Sequence, residues 1–256
     1  MAFRILYTAY GEYFYRDLKR GLHIMAFLSR IASTPDLTEQ VYQQLLHAIC
    51  DGQLAPGARL TQEELAANLG VSRQPVLQAL RLLKQDGLVS DAGRRGLQVA
   101  PLEARAIAQV YEVRAVLDGL TARRAALDRT PIDPAIIEQG RQAAAGANTG
   151  AMIDADMQFH DLIYAASGNP FLAETVHHHW PHIRRAMGAV LQVAGRRHPV
   201  WDEHEAIMQA INSGEADLAE QLAREHCERA EVYMVTQLTR HGCPLPEPLT
   251  WQVVPS

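Results

Sequence analysis

The chain is short of cysteine, of long apolar runs and of net positive charge, and each shortage narrows what it can be. Only three of its 256 residues are cysteines (Cys50, Cys227 and Cys243), none in a C-x-x-C spacing. That usage fits a reducing cytoplasm and argues against a disulfide framework. No stretch approaches the roughly 18 consecutive apolar residues of a membrane-spanning helix, and the N-terminus lacks the apolar core and small-residue cleavage site of a secretory signal. The expected setting is therefore cytoplasmic, with no membrane partner. With 48% hydrophobic and 21% charged residues the composition is that of an ordinary globular protein, and the length suits one large domain or two modest ones.

A net charge of −5 looks wrong for a nucleic-acid binder until it is divided along the chain. Residues 1–36 carry +2, residues 37–100 are neutral, and residues 101–256 carry −7. Within 73–95, Arg73, Arg81, Lys84, Arg94 and Arg95 face only Asp86 and Asp91. Only the surface that touches phosphate sets an electrostatic footprint, so this local excess outweighs the global sign.

Composition and punctuation divide the chain into four parts. Residues 1–36 hold Phe3, Tyr7, Tyr10, Tyr13, Phe14 and Tyr15, unlike the Ala/Leu/Gln-rich remainder. They read as a flexible arm or as an extension upstream of a start at Met25. Residues 37–101 begin with a helix whose Val41, Leu45, Leu46 and Ile49 share one face. A second short helix spans Thr61–Leu69, with Thr61 and Glu64 as a capping box and Gly70 as the stop. A third runs from a Ser72 cap to about Gln85, with Pro75 in its first turn. Two short β-prone runs, Leu88–Ser90 and Leu97–Val99, are joined by a hairpin loop through Arg94 and Arg95. Residues 102–240 read as an all-α region of about six helices, with breaks near Pro131–Pro134, Gly146–Gly150, Gly168–Pro170, Gly195–Pro199 and Ser213–Gly214. Residues 241–256 form a Pro-rich tail. The expected fold is mainly α: a winged helix-turn-helix of three helices and a two-stranded wing, followed by an antiparallel helical bundle.

In such a head the second helix of the helix-turn-helix enters the major groove with its N-terminal residues at base edges. Here these are Ser72, Arg73, Gln74 and Pro75, with Leu77 and Arg81 one and two turns further on. Arg73 suits a bidentate contact to guanine, and Arg94 and Arg95 suit the minor groove or the phosphate backbone. On pattern alone, a small helical unit with solvated arginines remains open. The stretch Val41 to Pro101 resembles the DNA-binding domain of the GntR family of bacterial repressors. The matching residues are Pro56-Gly57-Ala58-Arg59-Leu60, Glu64-Leu65-Ala66, Leu69-Gly70-Val71-Ser72-Arg73, Pro75-Val76 and Asp86-Gly87-Leu88-Val89. One departure stands out. That family carries Arg-Glu after the Pro-Val pair, where this chain has Leu77-Gln78, implying an altered operator.

In the helical region Asp156 and His160 stand at i and i+4, while His204 and His226 lie on later helices. One carboxylate and three imidazoles suit Zn²⁺, with Ni²⁺ or Mn²⁺ as alternatives. Spacing alone favours surface or internally satisfied groups for these four. The run His177-His178-His179 with His182 reads as a solvated helix surface, because consecutive residues point around a helix and Trp180-Pro181 interrupts it. Residues 103–235 resemble the FCD ligand-binding domain of the FadR-type branch of the same family. The matching phrases are Tyr111-Glu112-Val113-Arg114, Asp156 through His160, Ala166-Ser167-Gly168-Asn169-Pro170, Glu203-His204 and Arg224-Glu225-His226. This resemblance implies a divalent metal on Asp156, His160, His204 and His226, and a small organic acid completing its coordination. It also makes Arg114 a candidate carboxylate partner, the other reading of Arg114 being an exposed salt bridge to Asp118. The implied protein is a ligand-responsive repressor, not an enzyme, that binds a pseudo-palindromic duplex operator as a homodimer. The rival readings are a metal-dependent hydrolase with an appended DNA-binding head, and a regulator whose metal is purely structural. Glu203 and Glu205 are expected to point away from His204's site.

Overall fold

The computed structural model describes residues 37–93, 96–194 and 200–240. Arg94 and Arg95, the segment 1–36 and the tail 241–256 lie outside the described residues.

The head starts with α1 (Leu37–Cys50), which buries Val41, Leu45 and Ile49. The short strand β1 (Arg59–Leu60) leads into α2 (Gln62–Leu69). There the Thr61 hydroxyl accepts from the Glu64 backbone N–H at 3.3 Å and donates to the Glu64 carboxylate at 2.6 Å. Gly70 ends the helix at φ 66, a left-handed conformation open to a residue without Cβ. Helix α3 (Arg73–Gln85) buries Val76, Ala79, Leu80 and Leu83, which pack against α1 and the wing in one core. Strands β2 (Val89–Asp91) and β3 (Leu97–Val99) form the hairpin. The sheet has a third member beyond the two expected: β1 pairs antiparallel with β3, giving the order β1-β3-β2 with Leu60 opposite Leu97 and Ser90 opposite Gln98. Two residues are too few to show an alternating pattern, so β1 left no periodic signature in the sequence.

Seven helices among the described residues build the second region. They are α4 (Ala104–Asp128), α5 (Ala135–Ala145), α6 (Thr149–Ala166), α7 (Pro170–His177), α8 (Trp180–Ala194), α9 (Val200–Ser213) and α10 (Ala216–Arg240). The additional break, against about six expected, is the pair His178-His179. Pro181 lacks the N–H that would bond the His177 carbonyl and its ring crowds that carbonyl, so α7 cannot run on into α8, where Pro181 is tolerated in the first turn. The 25-residue helices α4 and α10 pack along each other. Asp118 meets Cys227, and Arg123 meets Asp217, so the two run antiparallel. Small residues let them approach: α4 buries Ala115, Gly119, Ala122, Ala125 and Ala126. Two apolar clusters fill the bundle. One is centred on Phe159, Trp201, Ile207 and Ile211, the other on Tyr111, Tyr164, Trp180 and Ile183.

Head and bundle meet at α8. His182 Nε2 donates to the Asp86 carbonyl at the end of α3 at 2.8 Å. Arg184 pairs with Asp51 at 3.4 Å, Arg185 donates to the Ala100 carbonyl, and the Cys50 thiol reaches the Pro181 carbonyl at 3.6 Å.

Candidate functional site

Two surfaces of the molecule bear on function, the N-terminal end of α3 and a polar cluster inside the bundle. On α3, Ser72, Arg73, Gln74 and Arg81 are exposed, and Leu77 is half-buried. Leu77 stays outside the apolar core that Val76, Leu80 and Leu83 enter. Arg73 Nη2 bonds Glu63 at 2.8 Å, but both side chains are largely exposed, and a pair so solvated holds the guanidinium only weakly. Two expectations are corrected. Pro75 is buried, packed into the head instead of standing with the exposed residues. Ser72 takes extended backbone angles at the N-cap, but its side chain makes no capping hydrogen bond; of the two N–H groups a cap can serve, the one at Pro75 does not exist.

The bundle brings the second set of residues together. Asp156 and His160 project from α6, His204 from α9 and His226 from α10. One ring nitrogen from each of His160, His204 and His226 falls within 4.8 Å of the others. His204 Nε2 lies 3.3 Å from His226 Nε2 and 3.6 Å from Asp156 Oδ1. All four side chains are buried, His204 completely. Aromatic rings fix them: Phe159 stacks on His204 at 4.2 Å and Trp201 meets it edge-on at 4.7 Å, while Trp180 leans on His160 at 5.9 Å. Burial, with Arg114 and the neighbouring imidazoles, pushes the His160 pKa well below the ordinary histidine value. A neutral imidazole is the form that binds a cation.

Carboxylates stand behind two of the imidazoles. His226 Nδ1 donates to Glu203 Oε2 at 2.7 Å, which turns its Nε2 inward. His160 Nδ1 lies 3.5 Å from Asp118 Oδ2, and its buried Nε2 has no hydrogen-bond partner. A buried polar atom left unpaired is costly, and an electrophile at that position would satisfy it. The donor chemistry, three imidazoles and a carboxylate with outward-facing acid partners, fits a divalent transition metal. A void of about 10 Å³ bordered by Asp118, His160 and His226 adjoins the group.

Arg114 is buried with Asp118, not exposed, at 3.0 Å. Its guanidinium lies over Trp180 at 4.9 Å and Tyr111 at 5.7 Å. Burial lowers its proton affinity, but the Asp118 carboxylate outweighs this and keeps it charged. One edge atom, Nη2, is buried without a partner. Arg114, Asp156 and His226 all line a cavity of about 350 Å³ that extends toward Met152, Met187 and Trp201.

Comparison with known proteins matches this architecture region by region. Residues 37–99 match the family model of bacterial regulatory proteins, gntR family, and residues 109–229 match the FCD domain. The chain belongs to the GntR family. Among relatives, this GntR regulator is 27% identical to the HTH-type transcriptional regulator YdhC of Bacillus subtilis (strain 168), over 73% of its own length and 86% of that protein. It is 31% identical to the HTH-type transcriptional regulator McbR of Escherichia coli (strain K12), over 56% of its own length and 67% of that protein. A solved GntR regulator from Rhodococcus sp. RHA1 superposes with a TM-score of 0.65 at 27% identity, covering 78% of this chain and 97% of that one. The family and these relatives are DNA-binding transcriptional regulators, not enzymes. No helix among the described residues is long and apolar enough to cross a membrane.

Sequence reasoning missed two members of the cluster and misjudged two histidines. Glu203 holds His226 and also pairs with Arg229 at 3.0 Å, whereas Glu205 turns outward to Arg141 at 2.8 Å. Asp118 accepts from Arg114, from the Tyr164 hydroxyl at 2.7 Å and from the Cys227 thiol at 3.2 Å. The i to i+4 spacing of Arg114 and Asp118 was visible, but not that α10 covers them. His177 and His178 are exposed, as a solvated surface requires, while His179 is half-buried and His182 is half-buried against the head.

Proposed function

We propose that this GntR regulator is a metal-dependent sensor of a small organic acid, acting as a repressor on a pseudo-palindromic operator that it binds as a homodimer. The carrying observation is the convergence of His160, His204 and His226 with Asp156 beside them, next to a cavity that Arg114 also lines. These four residues would hold the divalent metal, with Zn²⁺ suited to the imidazole-rich donor set. When bound, the metal supplies an electrophilic centre that accepts a carboxylate oxygen. The free Nη2 edge of Arg114 presents a second donor to the same carboxylate, a geometry that a planar guanidinium matches well.

Helix α8 gives the cavity a route to the DNA-reading head. Trp180 at its start packs on His160 and on Arg114, and Met187 and Leu191 line the cavity. On the same helix, His182, Arg184 and Arg185 grip Asp86, Asp51 and Ala100 of the head. A ligand that shifts α8 changes how α3 is held. A coupling of about 1–3 kcal/mol suffices for a 5–150-fold change in operator affinity. In the head, Arg73, Gln74 and Arg81, with Ser72 at the helix N-terminus, face the duplex, and Leu77 occupies the position where the resembled family places an arginine.

The test is operator binding by gel shift with zinc-loaded and chelator-stripped protein, across a set of carboxylic acids. At least one acid is expected to change affinity fivefold or more, in the zinc-loaded form only. Equal affinity in every condition would leave the metal purely structural and refute the sensor reading.

A further inference from the structure

We propose that the ligand is an amphipathic monocarboxylate, one acid group on an aliphatic or aromatic body, and not a sugar acid or a di- or tricarboxylate. This names the ligand class of the cavity and rests on the metal reading above. Two independent features of the cavity carry it.

The first is the character of the walls. Besides Arg114, Asp156 and His226, the cavity is faced mainly by Met152, Met187, Leu191, Trp201 and Met234, with Tyr111, Tyr233, Arg141 and Asp202 as its other polar members. Thioether and indole surfaces adapt to apolar shapes and offer little to a hydroxyl. A sugar acid would bring several hydroxyls out of water against these walls, and each one left unpaired weakens binding about tenfold. A hydrocarbon body gains instead, about fourfold in affinity for every methylene buried. At about 30 Å³ per small group, the 350 Å³ volume holds roughly a dozen non-hydrogen atoms.

The second is charge. Near the metal position Arg114 is matched by Asp118, and Glu203 by Arg229, which also meets the partly solvated Glu225 at 3.3 Å. A divalent cation beside the Asp156 carboxylate, 3.6 Å from His204 Nε2, would bring positive charge to this end that a ligand carboxylate offsets. The cavity's other charged lining residues are Arg141 and Asp202. Arg141 is shared between Asp202 at 2.7 Å and Glu205 at 2.8 Å, two carboxylates on one guanidinium, and Asp202 itself lines the cavity. Arg141 lines the cavity as well, but a second acid group on the ligand would have to compete for it with two carboxylates already bonded to it.

The experiment uses the full chain, stripped with chelator and reloaded with zinc chloride, in thermal-shift and calorimetric titrations. The probes are acetate, butyrate, hexanoate, octanoate and phenylacetate against gluconate, succinate and citrate. Zinc alone is expected to raise the melting temperature. Affinity is then expected to rise about fifteenfold for each added pair of methylenes until the cavity is filled, with gluconate, succinate and citrate at or below the level of acetate. Ala230→Leu, which adds bulk to the cavity wall, is expected to weaken octanoate binding at least tenfold while keeping the zinc response. A zinc response accompanied by tightest binding of gluconate, succinate or citrate overturns the ligand class alone. The absence of any zinc response removes the metal reading, and this inference falls with it.

Discussion

Replacing Glu203 with alanine tests whether the acid behind His226 holds the imidazole in place for a metal. Glu203 Oε2 accepts from His226 Nδ1 at 2.7 Å, and both side chains are largely buried. Removing it leaves Nδ1–H without its acceptor inside the bundle, a cost of about 1–3 kcal/mol to the metal-free fold. Metal affinity suffers separately. The bond fixes the tautomer that leaves Nε2 available and keeps the ring turned inward, and loss of such a partner costs about 10–100-fold in affinity. Glu203→Gln is intermediate, because an amide oxygen still accepts from Nδ1–H but no longer neutralises Arg229 at 3.0 Å. Glu205→Ala serves as the control, since Glu205 bonds Arg141 on the outer face and its loss is expected to leave affinity within about twofold. Zinc competition against a chromogenic chelator at pH 7.5 measures all three. Wild-type affinity in folded Glu203→Ala would show that the carboxylate does not position the ring, and the reasoning would fail.

Three further outcomes follow from other parts of the molecule. A Cβ at Gly140 would sit 1.9 Å from the Trp201 ring, so Gly140→Ala is expected to cost about 1–3 kcal/mol by overpacking. Gly119→Ala meets only the Arg224 side chain, with Cγ 2.7 Å away and its guanidinium held by Glu220 at 3.2 Å, and is expected to cost less than Gly140→Ala because an arginine chain yields more readily than a packed indole; equal melting temperatures for the two variants would contradict this. Burial holds His160 and His182 below the ordinary histidine value. Between about pH 6.5 and 5 the unfolded chain therefore takes up protons that the folded chain refuses. Stability of the metal-free protein should fall as pH drops through that window, and a melting temperature that is flat or rises toward pH 5 would rule it out. Leu77→Arg restores the residue usual in the resembled family between Arg73 and Arg81, and a binding selection should show a changed base preference. An unchanged preference would mean that position 77 does not read the duplex.

Much of the fold was legible because local rules and tertiary packing agree. The 3.6-residue spacing of Val41, Leu45 and Ile49, the stop at Gly70 and the wing runs at Val89 and Val99 all fall where the structure places them. The hidden parts are those with no periodic or local signature. Strand β1 is two residues long, and α4 buries a face of alanine and glycine that carries little hydrophobic contrast. The four candidate ligands could be named through resemblance, since 70 residues separate Asp156 from His226 and no spacing rule reaches across three helices. The supporting acids were invisible for the same reason. Whether Glu203 or Glu205 turns inward depends on how α9 sits against α10, and whether Arg114 and Asp118 are buried depends on what α10 covers.

Metal stoichiometry in a set of single variants goes to the heart of the matter. Elemental analysis and zinc titration of the full chain should give one divalent ion per chain, abolished in His204→Ala and His226→Ala and sharply weakened in Asp156→Ala and His160→Ala. The triple change of His177, His178 and His179 to alanine should leave that single equivalent intact. One ion still bound with unchanged affinity in His204→Ala, or an ion lost with the His177–His179 triplet, would mean that the buried quartet is not where the metal sits.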